Sequence, residues 1–356
     1  MYIVRLELEN FRNFSKLKHD FSPSGALIHG KNGIGKTNLL EAISFFSTGK
    51  SFLTRNDSDL IKFQTPYSRI LANFIYRQQS LKFEAGLEPS QKKIRLNKNY
   101  LSRTSELYEY LKIIYFSPSD IEFISGSPSL RRNFLDQAIS QYSFAYVGLM
   151  RKFYRVLKQR NNLLKTGFTM REKSSWDKQF IDLAEEINRT RLDYLNDFIP
   201  QLKEHYQKIS LRKEVLGIAY VYSFPRLNLD NYRRDLHEFL NKKQKDEIQY
   251  QHTLAGPHLD DLSFELNGHS ARKFASQGQK RSIAIASRLV QSEMITQKEK
   301  SHPILMFDDV LADLDRDRAR SIMKILQKKH QIFIATPNAQ IYQDFDLEKI
   351  DLEKVR

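Results

Sequence analysis

The sequence predicts an α/β protein that carries a helical arm, and three stretches of the chain lead to this prediction. A glycine-rich loop near residue 30 stands between an apolar run and a helix-periodic segment. A second apolar run, 303–307, is followed by two acids. Between them, 128–209 is charged, helix-periodic and poor in glycine and proline. The two short segments predict strands of an α/β fold, and the long one predicts the arm.

The first residues alternate between apolar and charged side chains, which is typical of a strand. Val4, Leu6 and Leu8 are expected on one face, and the other face carries Arg5, Glu7 and Glu9. Arg12 is close enough in sequence to the glycine-rich loop to be a phosphate contact. An ordinary surface arginine at the same distance from the loop is an equally good interpretation. Three later segments predict short antiparallel strands of a second small sheet: 70–76, 81–87 and 93–96.

Residues 30–37 match the P-loop pattern G-x-x-x-x-G-K-[ST]. They are Gly30, Lys31, Asn32, Gly33, Ile34, Gly35, Lys36 and Thr37. The glycines let successive backbone N–H groups turn toward a polyphosphate. Lys36 is expected to reach the β- and γ-phosphates, and the Thr37 hydroxyl is expected to bind Mg²⁺. The preceding strand, 25–29, and the helix that follows are the context that this motif requires.

Two helix-periodic stretches, 128–165 and 176–209, are expected to pack against each other as an antiparallel arm. Each has an apolar and aromatic stripe, which predicts the packed face. The stripes contain Phe134, Ile139, Tyr142, Leu149, Phe153 and Leu157, and then Phe180, Leu183, Ile187, Leu195 and Phe198. Basic residues of the first stretch are expected on exposed faces, including Arg131, Arg132, Arg151, Lys152, Arg155, Lys158 and Arg160.

The composition indicates the class of partner. The 356 residues include 57 Lys and Arg against 42 Asp and Glu, a formal net charge of +15. Nucleic acid is the first expected partner and an acidic membrane surface the second, although a basic surface without a partner would give the same count. Cysteine is absent, the N-terminus lacks a signal-peptide core, and no apolar run approaches bilayer length. A soluble, cytoplasmic protein without a membrane partner is expected.

Three segments near the C-terminus complete the prediction of a nucleotide site. Asp308 follows an apolar strand, so its carboxylate is expected to hold Mg²⁺. Asp309 is expected to orient the attacking water as a base. Ser276, Gly278 and Gln279 precede a helix whose N-terminus favours anions. The acidic strand is followed by a tight polar turn, 311–315.

A loop with several possible metal ligands has a different expected role. His252, His258, Asp260 and Asp261 lie around Pro257. Zinc sites place their ligands in regular, closely spaced sets, and this loop has no second cluster to complete one. These side chains are expected to be structural.

With these motifs in place, the chain resembles the ABC-type ATPases with SMC-like heads, and within them the RecF family of DNA replication and recombination-repair proteins. The resemblance runs end to end. It rests on the P-loop and on 116–120, 126–128 with Arg131, Arg132 and Asp136, 253–261, 276–281 and 305–315.

The resemblance implies an ATPase head assembled from both ends of the chain, 1–120 and 213–356, with an arm, 121–212, inserted. It implies ATP and Mg²⁺ as cofactors, an ATP-dependent homodimer and weak DNA-stimulated hydrolysis. It also implies binding of single-stranded and gapped duplex DNA, cooperation with RecR and RecO in loading a recombinase, and a part in the SOS response. Departures from the family pattern at Leu53, Leu259, Asp313 and 335–337 leave these ATP motifs unchanged.

Three other functions use a P-loop and fit the sequence less well. An ABC transporter ATPase lacks such an arm and carries a histidine after the last strand, which is absent at 334–336. An architectural SMC-type ATPase needs coiled coils of several hundred residues, more than separate Thr37 from Ile304. A small-molecule kinase would explain neither the segment at 276–281 nor the charge.

Overall fold

The computed structural model describes residues 1–54, 56–210, 214–225, 231–310, 330–337, 342 and 347–355. The chain forms two compact units, 1–120 with 287–356 and 121–286. The first unit combines segments from both ends of the chain, and the second is one continuous segment. The domain limit predicted at 212/213 lies outside the described residues.

The first unit contains two sheets. The antiparallel sheet has the order β2-β1-β4-β5-β6-β7. Its strands are β1 (Tyr2–Phe11), β2 (Phe14–Asp20), β4 (Ser68–Tyr76), β5 (Gln79–Glu88), β6 (Gln91–Leu96) and β7 (Asn99–Tyr100). The parallel sheet has the order β14-β3-β13-β12-β8. Its strands are β3 (Gly25–His29), β8 (Ile113–Phe116), β12 (Ile304–Asp308), β13 (Ile332–Thr336) and β14 (Glu348–Asp351).

The three short strands predicted in 70–96 are present as β4, β5 and β6. They do not form a sheet of their own, because β1 pairs with β4 along most of its length and joins them to β2. The face predicted for β1 is also wrong at its start. Ile3, not Val4, is fully buried, because the register of β1 on β4 shifts between Ile3 and Arg5. Such a bulge exchanges the two faces of a strand.

Helix α1 (Lys36–Thr48) lies between the two sheets of the first unit. It is apolar on several sides, as expected for a helix without a solvent face. Phe46 packs against Phe74 and Phe83 of the antiparallel sheet. The same helix contacts β8, β12 and β13 of the parallel sheet. This packing holds the start of α1, where the P-loop ends, at the edge of the parallel sheet.

The remaining helices are mostly in the second unit. The first unit has two short helices, α2 (Leu107–Tyr110) and α11 (Leu352–Val355). The second unit contains α3 (Glu122–Ser125), α4 (Pro128–Tyr142), α5 (Phe144–Thr166), α6 (Met170–Ile209), α7 (Tyr232–Lys242), α8 (Gln244–Tyr250) and α9 (Ala271–Phe274). Helix α10 (Gln277–Glu299) begins in the second unit and ends in the first. The second unit also has a three-stranded antiparallel sheet with the order β11-β10-β9, made of β9 (Leu216–Val221), β10 (Asp261–Leu266) and β11 (His269–Ser270). Across the described ranges, no helix is both long and apolar enough to cross a membrane.

The arm is formed by α5 and α6, which pack along each other. The predicted stretch 128–165 is two helices, because Ser143 adopts an extended conformation between α4 and α5. At the tip, the Thr169 side chain accepts a hydrogen bond from the Glu172 amide and begins α6 with a capping box. Phe153 and Phe180 meet in the packed face with ring centroids 5.4 Å apart. The apolar stripes therefore form the interface between the two helices.

Two basic residues predicted on exposed faces are buried. Arg131 forms a bidentate ion pair with Asp261, with N–O distances of 2.7 and 2.8 Å. Arg160 is 1% exposed and hydrogen-bonds Asp177 and Glu247. The helical spacing of these arginines resembles that of a solvated face, but their carboxylate partners come from other segments and make burial possible.

Candidate nucleotide-binding site

The P-loop connects the end of β3 to the start of α1, as predicted. Gly30, Gly33 and Gly35 have φ angles of 145°, 79° and 113°, which side chains with a Cβ rarely adopt. At Gly35 a Cβ would also lie 2.6 Å from the Asn13 side chain. The glycines of the motif are therefore required by the backbone curl that directs N–H groups into the loop.

Asn13, in the turn between β1 and β2, supports the P-loop from outside. Its Nδ2 donates to the Ile34 carbonyl oxygen at 2.8 Å, and its Oδ1 accepts from Asn38 Nδ2 at 3.0 Å. Asn13 thereby links the loop to the first turn of α1. No sequence pattern indicates this role, because an asparagine in a tight turn is common without any distant contact.

Lys36 lies inside the curl of the P-loop. Its Nζ donates to the carbonyl oxygens of Gly30 and Lys31 at 2.8 and 3.0 Å. The side chain is 7% exposed, so its charge is held within the loop. A compact ammonium group in this place can exchange carbonyl oxygens for phosphate oxygens, which are stronger acceptors.

Thr37 and Asp308 meet although 271 residues separate them. The Thr37 hydroxyl donates to Asp308 Oδ1 at 3.0 Å. The parallel sheet explains this, because β3 and β12 are separated only by β13 and end at the same edge. Their contact places a hydroxyl and a carboxylate oxygen together, which is a ligand set that Mg²⁺ accepts.

Tyr115 on β8 holds the second oxygen of the same carboxylate. Its hydroxyl donates to Asp308 Oδ2 at 2.6 Å, and its ring stacks on Phe52 at a centroid distance of 3.8 Å. Burial and the neighbouring Asp308 raise the pKa of Tyr115 far above its ordinary value. The phenol therefore stays protonated and remains a donor. Sequence reasoning missed Tyr115, because its position in an apolar strand resembles that of any buried aromatic residue.

Asp309 lies immediately beyond the end of β12. Its φ of 56° is in the left-handed region, and its amide donates to the Ala335 carbonyl oxygen at 2.9 Å. This conformation turns the chain at the strand end, so that Asp308 and Asp309 occupy different environments. The structure thus distinguishes the two acids, and their assignment as metal ligand and base stays a prediction.

Arg12 has a carboxylate partner within the first unit. Its guanidinium forms a bidentate pair with Glu41 of α1, with N–O distances of 2.8 and 2.7 Å, and donates to the Asp59 carbonyl oxygen. Glu41 is fully buried and also accepts a hydrogen bond from the Ser51 hydroxyl. Arg12 therefore fixes the loop after α1, and a phosphate contact by Arg12 stays a prediction.

The segment 276–281, called here the signature segment, lies in the second unit. The Ser276 amide donates to Gln279 Oε1 at 2.7 Å, and the Gln279 amide donates to Ser276 Oγ at 3.2 Å. This reciprocal pair is a capping box at the start of α10. Ser276 and Gly278 are exposed. The start of the helix is therefore accessible to a ligand, while the turn at 311–315, including Asp313, lies outside the described residues.

The loop with possible metal ligands has structural contacts. Asp260 accepts hydrogen bonds from Ser223 and Tyr220, and burial raises its pKa. Asp261 pairs with Arg131, as described above. His258 lies near the rings of two phenylalanines in the arm, and burial lowers its pKa to about 4. Among the described residues, no cluster of three or more His, Cys, Asp or Glu side chains could hold a metal ion.

Known proteins resemble this chain over almost its full length. Residues 2–352 match the family described as the RecF/RecN/SMC N terminal domain. A DNA replication and repair protein RecF from Heliobacterium modesticaldum is 36% identical, with 100% of this chain and 98% of that protein covered. The protein of the same name from Lactobacillus acidophilus is 35% identical, with 96% and 93% covered.

Solved structures agree with this result. A structure described as the recombination mediator protein RecF-ATP in the RecFOR pathway has a TM-score of 0.90 at 31% identity, with 99% of this chain and 96% of that chain covered. An Smc head domain from Pyrococcus furiosus has a TM-score of 0.57 at 19% identity, a likeness of fold alone. The fold is that of an ABC-type ATPase head, and the chain belongs to the RecF family of DNA replication and repair proteins.

Proposed function

We propose that this protein is an ATP-dependent DNA-binding protein of DNA replication and recombinational repair, acting as a recombination mediator. The contact of Thr37 with Asp308 carries the proposal, because it unites a P-loop with the acid of a distant strand. The relatives that bear the RecF name, and the solved RecF structure with ATP, support ATP as the nucleotide. A mediator role, with the binding of single-stranded and gapped duplex DNA, is supported by the same relatives and by the charge of +15.

The residues of the P-loop fit a nucleotide with Mg²⁺. Lys36 would exchange the carbonyl oxygens of Gly30 and Lys31 for phosphate oxygens. The hydroxyl of Thr37 and the carboxylate of Asp308 would hold Mg²⁺, which supplies neutralisation of the phosphate charge. The Tyr115 hydroxyl would orient the carboxylate by holding its second oxygen, as groups behind metal ligands commonly do.

Hydrolysis is assigned to Asp309, which would accept the proton of the attacking water or orient it. Its left-handed backbone directs it away from the strand direction followed by Asp308. We propose a weak ATPase that DNA stimulates, in which bound ATP maintains the assembled state for a limited time rather than driving rapid turnover.

ATP is also proposed to join two copies of the chain. The exposed signature segment begins a helix of 23 residues, and its N-terminus attracts anions. In a dimer with two-fold symmetry, this segment of one copy would face the γ-phosphate held by the P-loop of the other. Ser276, Gly278 and Gln279 would then contribute to the site around that γ-phosphate. RecR and RecO are the proposed protein partners, and recombinase loading and the SOS response the proposed setting.

Nucleotide binding tests the first part of the proposal, the assignment of the P-loop as an ATP site. Lys36→Ala is expected to abolish binding of a fluorescent ATP analogue, because the phosphates lose their principal cation. The matched control is Lys50→Ala, an exposed lysine just after α1, which should bind as the wild type does. If Lys36→Ala bound the analogue within about twofold of wild type, the P-loop assignment would be wrong.

DNA binding tests the second part of the proposal, the role in replication and repair. Gel-shift titrations with single-stranded, duplex and gapped DNA, each with and without ATP, should show binding that ATP strengthens and salt weakens. Each neutralised phosphate of duplex DNA contributes a slope of roughly −0.9 in a plot of log K against log salt. A wild-type protein that binds none of the three DNAs would refute the proposed function.

A further inference from the structure

Helix α5 carries a strongly basic solvent face. Its 23 residues include six Lys and Arg and no Asp or Glu. One of the six is the buried Arg160, and the others are exposed. These exposed residues form the α5 basic face: Arg151, Lys152, Arg155, Lys158 and Lys165. In the part of the chain that the structure describes, none of them is in an ion pair.

The spacing aligns these cations along the helix. Arg151, Arg155, Lys158 and Lys165 recur at intervals of three, four and seven residues, so they lie on one side. At a rise of 1.5 Å per residue, the stripe is about 21 Å long. Phosphates of duplex DNA supply one negative charge per roughly 1.7 Å of axis, so a duplex along this stripe would offer about twelve charges.

The neighbouring side chains suit the same ligand. Tyr154 is 50% exposed, and a shallow depression of about 520 Å³ is lined by Tyr154, Lys158, Gln159 and Lys165, among others. Hydroxyl and amide groups of this kind are common donors to phosphate and sugar oxygens. The depression combines them with two of the cations.

The other arm helix shows that this charge is local. Helix α6 has seven Lys and Arg against eight Asp and Glu over its 40 residues. Its cations Lys173 and Lys208 pair with acids one turn away on the same helix. Helix α5 has no Asp or Glu to pair with its cations. A polyanion would therefore be attracted to one side of the arm and not to the other.

We propose that the α5 basic face binds the sugar–phosphate backbone of duplex DNA. This inference rests on the proposed function and assigns one of its DNA-contacting surfaces. The contacts are to phosphates, so they position the duplex without reading its sequence. The face lies opposite the buried stripe of α5, so DNA can bind there without opening the arm.

A pair of charge-matched double variants tests this surface. Arg155→Gln with Lys158→Gln removes two cations from the α5 basic face, and Arg189→Gln with Lys203→Gln removes two exposed cations from α6. Binding to a 30-base-pair duplex is measured by fluorescence anisotropy at several salt concentrations with ATP. Losing two phosphate contacts should reduce the log–log salt slope by about 1.8, which corresponds to roughly 60-fold weaker binding at 0.1 M salt. The α6 variant should bind within about threefold of wild type.

The outcomes separate this inference from the proposed function. Loss confined to the α5 variant supports it, provided that binding of the fluorescent ATP analogue is unchanged. If both variants bind DNA as tightly as the wild type, or if both lose affinity by the same factor, the placement on α5 is wrong, while DNA binding by the protein stands. If the α5 variant binds DNA normally but loses RecR or RecO, the face serves an acidic protein surface and the inference is overturned. Absence of DNA binding by the wild type would refute the proposed function itself.

Discussion

Among the described residues, Arg160 is the only cation that contacts the fully buried carboxylate of Glu247 in the second unit, and replacing Arg160 with methionine removes it. Arg160 donates to Glu247 through Nη1 at 3.0 Å and Nη2 at 2.6 Å, and to Asp177 through Nε at 2.8 Å. Methionine fills a similar volume but donates nothing. Asp177 would keep Lys173 as a partner at 2.5 Å. Glu247 would keep the Leu254 amide but no described cation.

The expected loss of stability follows from the charge that remains. Breaking a buried ion pair by removing one partner costs about 3–5 kcal/mol, mostly because the remaining charge is desolvated and unpaired. Arg160→Met is therefore expected to lower the free energy of unfolding of the second unit by about that amount.

The single tryptophan makes the measurement specific to this unit. Trp176 lies in α6 next to Asp177, so its fluorescence during urea unfolding reports on the arm and not on the first unit. The control is Arg233→Met, because Arg233 also pairs with two acids but is about half exposed. Exposed pairs contribute at most about 1 kcal/mol. Arg160→Met with Glu247→Gln should recover part of the loss.

A loss for Arg160→Met no larger than that of the Arg233→Met control would refute the reasoning. It would mean that Glu247 finds water or another donor at little cost. If Arg160→Met with Glu247→Gln were less stable than Arg160→Met alone, the loss of stability would come from the packing of the side chains and not from the unpaired charge of Glu247.

Four further changes address the site and its surroundings. Tyr115→Phe keeps the stacked ring but loses the hydrogen bond to Asp308, so the Mg²⁺ concentration for half-maximal hydrolysis should rise by roughly tenfold or more in single-turnover assays; an unchanged midpoint would exclude the positioning role. Asp309→Asn should bind ATP but hydrolyse it roughly 10²–10⁴-fold more slowly, whereas a normal rate would move the base elsewhere. Ser276→Arg should bind ATP as a monomer and fail to dimerise in sedimentation velocity with ATP, and normal dimerisation would contradict the shared site. Because the pKa of His258 is about 4 in the folded protein and ordinarily 6.5, the unfolded chain binds more protons between these pH values, and stability is lost as the pH falls toward 4. His258→Gln should remove about 2 kcal/mol of the loss that urea unfolding measures between pH 7.5 and pH 5. An equal loss in the variant and the wild type would argue against burial of a neutral imidazole.

The sequence was most informative where chemistry is local. The P-loop is complete within eight consecutive residues, and its strand and helix directly flank it, so its place in the fold followed from the pattern. Asp308 could be chosen because an apolar strand with an acid at its tip is itself a short motif. Both predictions rest on motifs that are complete within a few consecutive residues, even though Asp308 and Thr37 are 271 positions apart.

Side chains with distant partners could not be identified in this way. Tyr115 bonds a carboxylate 193 residues away, and Arg131 pairs with an acid 130 residues away. Helical spacing placed Arg131 and Arg160 on a surface, because no local pattern reveals that an acid from another segment covers them. Ile3 is buried instead of the predicted Val4 for a related reason. A bulge depends on the partner strand as well as on the residues of its own strand.

The position of β3 has a consequence for synthesis of the protein on the ribosome. The strand that leads into the P-loop pairs with β13 and β14, so neither neighbour exists until about 300 residues after it have been translated. At 5–20 residues per second this delay is roughly 15–60 seconds. During that time the continuous segment 121–286 emerges and can fold first. Until then β3 is an unpaired apolar strand, the kind of segment that chaperones bind. The P-loop can therefore be completed only after the last strands have been translated.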